Sequence, residues 1–397
     1  MFFFNTQQSA HSDASLAITS PRQSGAFRLT ALKLAIGVSV LSLSAVASGL
    51  QALSSVAAVS TRPALTQATG GLLPSEGTEA LLAGQVANQG VQAFTSGNTA
   101  QAFDHWQQAL GLYQVAGDRA GEGRMLENLS VIHRLNNRAA ESVTLIEQAL
   151  ALYETLGNED QQPSLYLNLG SAYRLVARTE DAIAAFEQGL SIYQRDNDPK
   201  GERIMLSLLA QIHTDSANYP QSIALNEQAL ELAQRTMNRT AEAEALSELG
   251  FAHVMSEQPV QALAYFQPAL SLYRQLGDRA QEVATLNNLG RAASLSENYD
   301  QALDAYQQAL VIFREMERPA QEAQLLVNIA QAYLGAGKTT AAIATFQQAV
   351  TLTESLRQQQ SNATTLPPRM EAAYRNLATL LQGQSRNEEA REVLNLI

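Results

Sequence analysis

From Leu82 to Val350 the sequence returns on itself every forty residues, with no insertion or deletion. The pair Ala109-Leu110 comes back as Ala149-Leu150, Gly189-Leu190, Ala229-Leu230, Ala269-Leu270, Ala309-Leu310 and Ala349-Val350. A second small-residue column runs Gly90, Ser130, Gly170, Ala210, Gly250, Gly290 and Ala330, and a third runs Ala102, Ser142, Ala182, Ser222, Ala262, Ala302 and Ala342. A period of this size means that one repeat is one supersecondary unit, too small to bury its own apolar face, so that neighbours must stack into an array. After Ala349 the register slips by eight, and Ala378 and Ala390 carry the two columns onward. Eight units follow, near residues 83–122, 123–162, 163–202, 203–242, 243–282, 283–322, 323–370 and 371–397, the last of them short.

Inside a unit the apolar spacing is helical. Tyr166, Leu169, Gly170 and Tyr173 make one face, Val176 to Thr179 make a turn, and Ala182, Phe186 and Gly189 make a second face. Each unit therefore reads as a helical hairpin. Small residues belong where two helix axes approach to the short end of the usual range, and large ones fill the space beside that contact. Between hairpins, GDRA, GNED, DNDP, MNRT and a second GDRA stop one helix and start the next. Asp118, Asn158, Asp198, Asn238 and Asp278 occupy the capping column, with Glu122, Gln162, Glu202, Glu242 and Glu282 four residues on, where side-chain acceptors and negative charge suit a helix start.

This pattern of large, large, small, aromatic, then small, aromatic, small resembles the tetratricopeptide repeat over roughly residues 75–397. The forty-residue spacing, the GDRA linker and the NNLG string at Asn287 to Gly290 are most similar to the lengthened repeats of kinesin light chains, spindle-orientation adaptors and many bacterial scaffold proteins. The resemblance implies an all-α, right-handed solenoid whose first helices line a concave groove, and a protein or peptide as partner. Three positions depart from the pattern. Gln89 stands where a large apolar residue is expected, which makes the first unit a cap; Asn226 replaces an aromatic; and Pro268 falls inside a helix, where it should bend it.

The string YLGAGKTT at residues 333–340 ends as a phosphate-binding loop ends. Such a loop needs a glycine five residues before Gly337, where Ala332 stands, and a buried strand before it. Gly337-Lys338-Thr339 instead shares its column with Ala177-Arg178-Thr179, the turn within a hairpin. No nucleotide or other cofactor is expected. His133, His213 and His253 occupy one aromatic packing column, and even His213 and His253, in adjacent units, lie too far apart for bonds of about 2 Å to one zinc ion. Bacterial arrays of this kind often precede a caspase-like CHAT peptidase domain, and residues 374–397 resemble the segment leading into one. That chemistry requires a cysteine, and the chain has none. The expectation is a protein without catalytic residues, with a partner or remnant of a CHAT peptidase system, or an intracellular peptide sensor, as alternatives.

Composition bears on location and partner. The formal charge is −12, and lysine occurs only at Lys33, Lys200 and Lys338, so no basic stripe is available to neutralise nucleic acid. Ahead of the array, Arg22, Arg28 and Lys33 precede an apolar run with no charge until Arg62, and Ala45-Val46-Ala47 suits a cleavage site. Residues 1–47 are read as an export signal, with a retained membrane anchor as the alternative, and residues 48–74 as a low-complexity linker. Either reading places the array outside the cytoplasm; an apolar core helix in a cytoplasmic protein is the competing reading.

At 100° per residue, the face of the first helix opposite the packing face carries Ser164, Asn168, Ser171 and Leu175 in the third unit. Asn168 has column mates at Asn128, Asn288, Asn328 and Asn376. In resembling adaptors this column holds the backbone of an extended peptide, since an amide offers both donor and acceptor; the alternative is that asparagine is merely tolerated on a wet surface. The column is interrupted by Leu208 and Glu248, and on the same face Phe251 and Met255 stand one turn apart. They form either a pocket for an anchoring side chain or, if Pro268 bends the fifth unit, part of the core. Arg124, Arg291 and Arg375 add positive charge near the groove and favour a ligand with carboxylates.

Overall fold

The computed structural model describes residues 75–157, 162–359 and 366–397. The proposed signal and the linker before Ser75, and the expected cap Asn158, lie outside the described residues. Among the described residues the chain forms sixteen α-helices and no strand. In order they are α1 (Ser75–Thr95), α2 (Thr99–Ala116), α3 (Arg119–Leu135), α4 (Ala139–Leu156), α5 (Gln162–Leu175), α6 (Thr179–Arg195), α7 (Pro199–Asp215) and α8 (Tyr219–Arg235). Then come α9 (Arg239–Met255), α10 (Pro259–Leu276), α11 (Arg279–Leu295), α12 (Tyr299–Glu315), α13 (Pro319–Gly335), α14 (Thr339–Gln359), α15 (Pro368–Gly383) and α16 (Asn387–Leu394). Each helix packs on the one before and the one after, which makes the array an all-α solenoid.

Helix starts follow the capping column. The side chains of Asp118, Asn238 and Asp278 accept from the amides of Gly121, Ala241 and Gln281, and Asp198 accepts from both Lys200 and Gly201. Helix ends are punctuated at a strict interval. Residues 97, 117, 137, 157, 177, 197, 217, 237, 257, 277, 297, 317 and 337 all have positive φ, so the forty-residue repeat is two twenty-residue halves, each a helix closed by one left-handed residue. The capping glutamates do more than cap. Glu122, Glu202, Glu242, Glu282 and Glu322 accept from the side chain eight residues earlier, at Gln114, Gln194, Gln234, Arg274 and Arg314, and so tie each hairpin to the previous one.

The core is the set of small and large columns meeting across each hairpin. Phe186, Phe266 and Phe346 are fully buried, as are Ala102, Ala182, Ala262, Ala302 and Ala342. Asn226, in the aromatic column, is buried and donates to Ser222 Oγ at 3.5 Å, and Ser222 shares a 2.6 Å hydrogen bond with Thr214. The polar substitution is thereby satisfied inside the hairpin of α7 and α8. Gln89 is exposed, as a capping unit requires. α10 is continuous through Pro268. Both Pro268 and Ala264, whose carbonyl loses its usual donor, are exposed, so that carbonyl is open to solvent. Among the described residues no helix is long and apolar enough to cross a membrane, and no group of three or more His, Asp or Glu side chains is placed to hold a metal ion.

Candidate functional site

The first helices of neighbouring hairpins approach one another, α3 with α5, α9 with α11, α11 with α13 and α13 with α15. This puts the first helices on the inner side of the array, and their outward-pointing residues line its groove. The expected asparagine column lies there, but as part of a lateral ladder between repeats. Asn168 is only 1% exposed. Its amide donates to Glu127 Oε1 at 3.3 Å, and its carbonyl accepts from Arg134 Nη2 at 3.3 Å. Asn328 donates to Asn287 Oδ1 at 2.9 Å and accepts from Arg369. The neighbouring repeat thus covers Asn168 and engages both of its amide groups. Asn128 and Asn288 are half-buried, Asn288 Oδ1 without a partner, and Asn376 is exposed.

Between these two ladders the groove changes character. Leu208, Phe251 and Met255 are half-buried, and Leu208 and Phe251 pack against the core while keeping part of their surface toward the groove. Neither sequence alternative describes them fully: they are walls of the groove footed in the core, and α10 needs no break to place them so. Beside them three carboxylates converge. Asp215 accepts from Arg174 at 3.1 Å and Glu244 from Arg203 at 3.3 Å, whereas Glu248 makes no hydrogen bond to any described residue. Enclosure by protein, then the charges of Glu244 and Asp215, push the Glu248 carboxyl up to about 7. Water still reaches its surface, as the open side of a groove allows. Glu127 is pushed up to about 7 by burial, against the lowering effect of its hydrogen bonds from Ser164 and Asn168.

The three arginines expected near the groove separate. Arg375 is exposed and paired to Glu371 at 2.6 Å, and Arg124 lies over the Tyr113 ring at 5.9 Å. Arg291 is half-buried on α11, and burial holds its guanidinium below the ordinary range. The middle of the groove is thus acidic, which the column reading did not foresee. It also missed Glu127, Arg134, Asn287 and Arg369. Their signal is an offset of 41 residues, or 34 for Arg134, visible only when partners rather than equivalents are compared.

The remaining sequence candidates have structural roles. His253 stacks on Tyr265 with ring centroids 5.1 Å apart and shares a 2.8 Å hydrogen bond with Gln258, and His133 meets Phe103 edge-on. In the GKTT string, Gly337 has φ 71°, and the amides of Gly337 and Lys338 donate to Leu334 and Tyr333 carbonyls at 3.0 and 2.8 Å. Those amides close a helix end and are not free to cradle a phosphate.

Comparison with known proteins agrees with this geometry. A tetratricopeptide repeat model matches residues 82–155, 122–195, 161–235, 201–275 and 241–315, and a second one matches 323–355. The chain belongs to the tetratricopeptide repeat family. No curated protein matches it in sequence. Among solved structures it is similar to the apo form of the quorum sensor NprR from B. thuringiensis, with 15% identity and a TM-score of 0.53 over 82% of this chain and 89% of that one. It is also similar to the apo form of RapI, with 12% identity and a TM-score of 0.51 over 70% and 99%. A third is PH0952 from Pyrococcus horikoshii, a signal transduction ATPase with a tetratricopeptide repeat sensor, at 16% identity and a TM-score of 0.52 over 82% of this chain and 52% of that one. At these identities the likeness is one of fold.

Proposed function

We propose that the array is a non-catalytic scaffold that binds a protein or peptide along the inner face of its first helices, on the outer side of a bacterial inner membrane. One observation carries the binding site. The lateral ladder that consumes Asn168 and Asn328 is interrupted at Leu208 and Glu248, which leaves an unpartnered carboxylate beside the apolar surfaces of Phe251 and Met255. At Asn168 and Asn328 the inner face spends its polar groups on its own neighbours; here it offers an apolar anchor site and a carboxylate to something else. The location rests on the basic, then uncharged, layout of residues 22–62. A second reading, an intracellular peptide sensor, takes its support from the likeness of fold to the quorum sensor NprR and requires that this segment not export the array.

The test begins with affinity capture from an envelope extract, with the array as bait. Against the partner so identified, Phe251→Ala is expected to weaken binding by about 1 kcal/mol or more, with a smaller effect on thermal stability. Glu248→Lys is expected to weaken binding further while leaving the fold intact, since its carboxylate holds nothing in place. Unchanged affinity in both variants would place the groove's binding surface elsewhere.

A further inference from the structure

Four arginines of the first helices, Arg124, Arg134, Arg291 and Arg369, meet no carboxylate among the described residues; Arg124 lies over the Tyr113 ring and Arg134 donates to Asn168. Arg291, in the middle of α11, has one neighbour for its Nη2, the sulfur of Met255 at 3.6 Å, and its buried Nε donates to nothing. Arg369, at the start of α15, donates to Asn328 Oδ1, and Asn328 is itself held by Asn287. By contrast Arg174, Arg203, Arg274, Arg279, Arg314 and Arg375 all meet a carboxylate. The guanidiniums of Arg291 and Arg369 share one neighbourhood, because Arg369 reaches Asn328 and Asn328 reaches Asn287, one turn before Arg291 on α11. Burial lowers the pKa of both, the charge of Arg369 lowers that of Arg291 further, and both charges bear on the buried hydroxyl of Tyr306. On α11 the Nε of Arg291 is buried without a partner, and Ser294, one turn on, faces the Tyr306 hydroxyl.

Buried charge is ordinarily paired, because leaving water without a counter-charge is costly. Here two like charges are brought together with a spare donor at Arg291 Nε and no acid. A single carboxylate would neutralise one of them. A phosphoryl group carries about −1.5 to −2 charge and three acceptor oxygens, and the guanidinium fork suits it. We propose that Arg291 and Arg369 form a subsite for a phosphoryl group presented by the ligand in the groove. The subsite rests on the groove reading for its biological use, but its chemistry is testable without any peptide.

The experiment is calorimetric titration of the array, at mildly alkaline pH and fixed ionic strength, with inorganic phosphate in one arm and acetate in the other. Phosphate is expected to bind saturably and acetate about tenfold more weakly or worse. Arg291→Gln and Arg369→Gln are each expected to weaken phosphate binding about tenfold or more, and Arg391→Gln, on the exposed face of α16, to leave it unchanged. Thermal melts accompany each variant, and Arg291→Lys, which keeps the charge and loses the fork, is expected to fall between wild type and Arg291→Gln. Absence of phosphate binding to the wild type, wild-type affinity in both glutamine variants, or acetate binding as tightly as phosphate would each overturn the assignment. The groove reading fails separately, through the Phe251 and Glu248 variants measured against a partner.

Discussion

At position 290 the structure has room for a hydrogen and nothing larger. A Cβ built there would stand 2.6 Å from the ring carbons of Tyr306, as one at Gly170 would stand 2.5 Å from Phe186 and one at Gly250 2.7 Å from Phe266. The two columns are read together: where the small column carries a side chain, at Ser130 and Ala210, the large column holds Ile146 and Asn226 in place of an aromatic, although Ala330 coexists with Phe346. Gly290→Leu is therefore expected to destabilise the array by about 3 kcal/mol, measured by chemical denaturation, with part of the loss recovered when Tyr306→Ala is added. This much was legible in sequence, because the two columns recur at a fixed spacing within one hairpin. What Asn168 and Asn328 do was not legible. Both lie on first helices, yet their partners Glu127, Arg134, Asn287 and Arg369 come from the repeats on either side, offset by 34 or 41 residues. Aligning a column groups equivalent residues and hides the neighbours that touch.

At the scale of the element, the turn and the ladder decide what the motifs mean. The GKTT string closes α13 and starts α14 with its amides already used, and Lys338 reaches only Asp300 at 3.5 Å on the exposed surface. Lys338→Ala is expected to shift stability by no more than about 0.5 kcal/mol, and equilibrium dialysis is expected to show no nucleotide binding for either form. The ladder between α3 and α5 makes a prediction about pH. Glu127 has a folded-state pKa of about 7 against an ordinary value of 4.5, so the folded array holds this proton more tightly than the unfolded chain does. Its contribution to stability is complete below the unfolded value and is lost as pH rises through about 7. Glu127→Gln, which keeps an acceptor for Ser164 and Asn168, removes that loss. Denaturation profiles at about pH 5 and about pH 8 are expected to differ less in the variant than in the wild type; equal differences would mean that Glu127 ionises normally.

For the whole molecule, the prediction concerns the side of the membrane on which the array works. A reporter fused after Ile397 and active only outside the cytoplasm is expected to be active, because Arg22, Arg28 and Lys33 stand before the uncharged run. Amino-terminal sequencing of the mature chain then separates a cleaved signal from a retained anchor, and activity confined to the cytoplasm would favour the sensor reading. By itself the sequence determined the array: the helices, the turn after each one, the caps at Asp118, Asp198, Asn238 and Asp278, and the small and large columns that meet within a hairpin. Those follow from local periodicity and capping chemistry, which act over a turn or two of one helix or across one short connection. Only the tertiary structure decided the groove. It buried Asn168, turned Glu127 and Arg134 into its partners, footed Phe251 in the core, gathered Asp215, Glu244 and Glu248, and left Arg291 and Arg369 together without an acid. The physical reason is that the charge and exposure of the groove are set by how one repeat stacks on the next. That stacking brings together side chains more than thirty residues apart, which no single period of the sequence aligns.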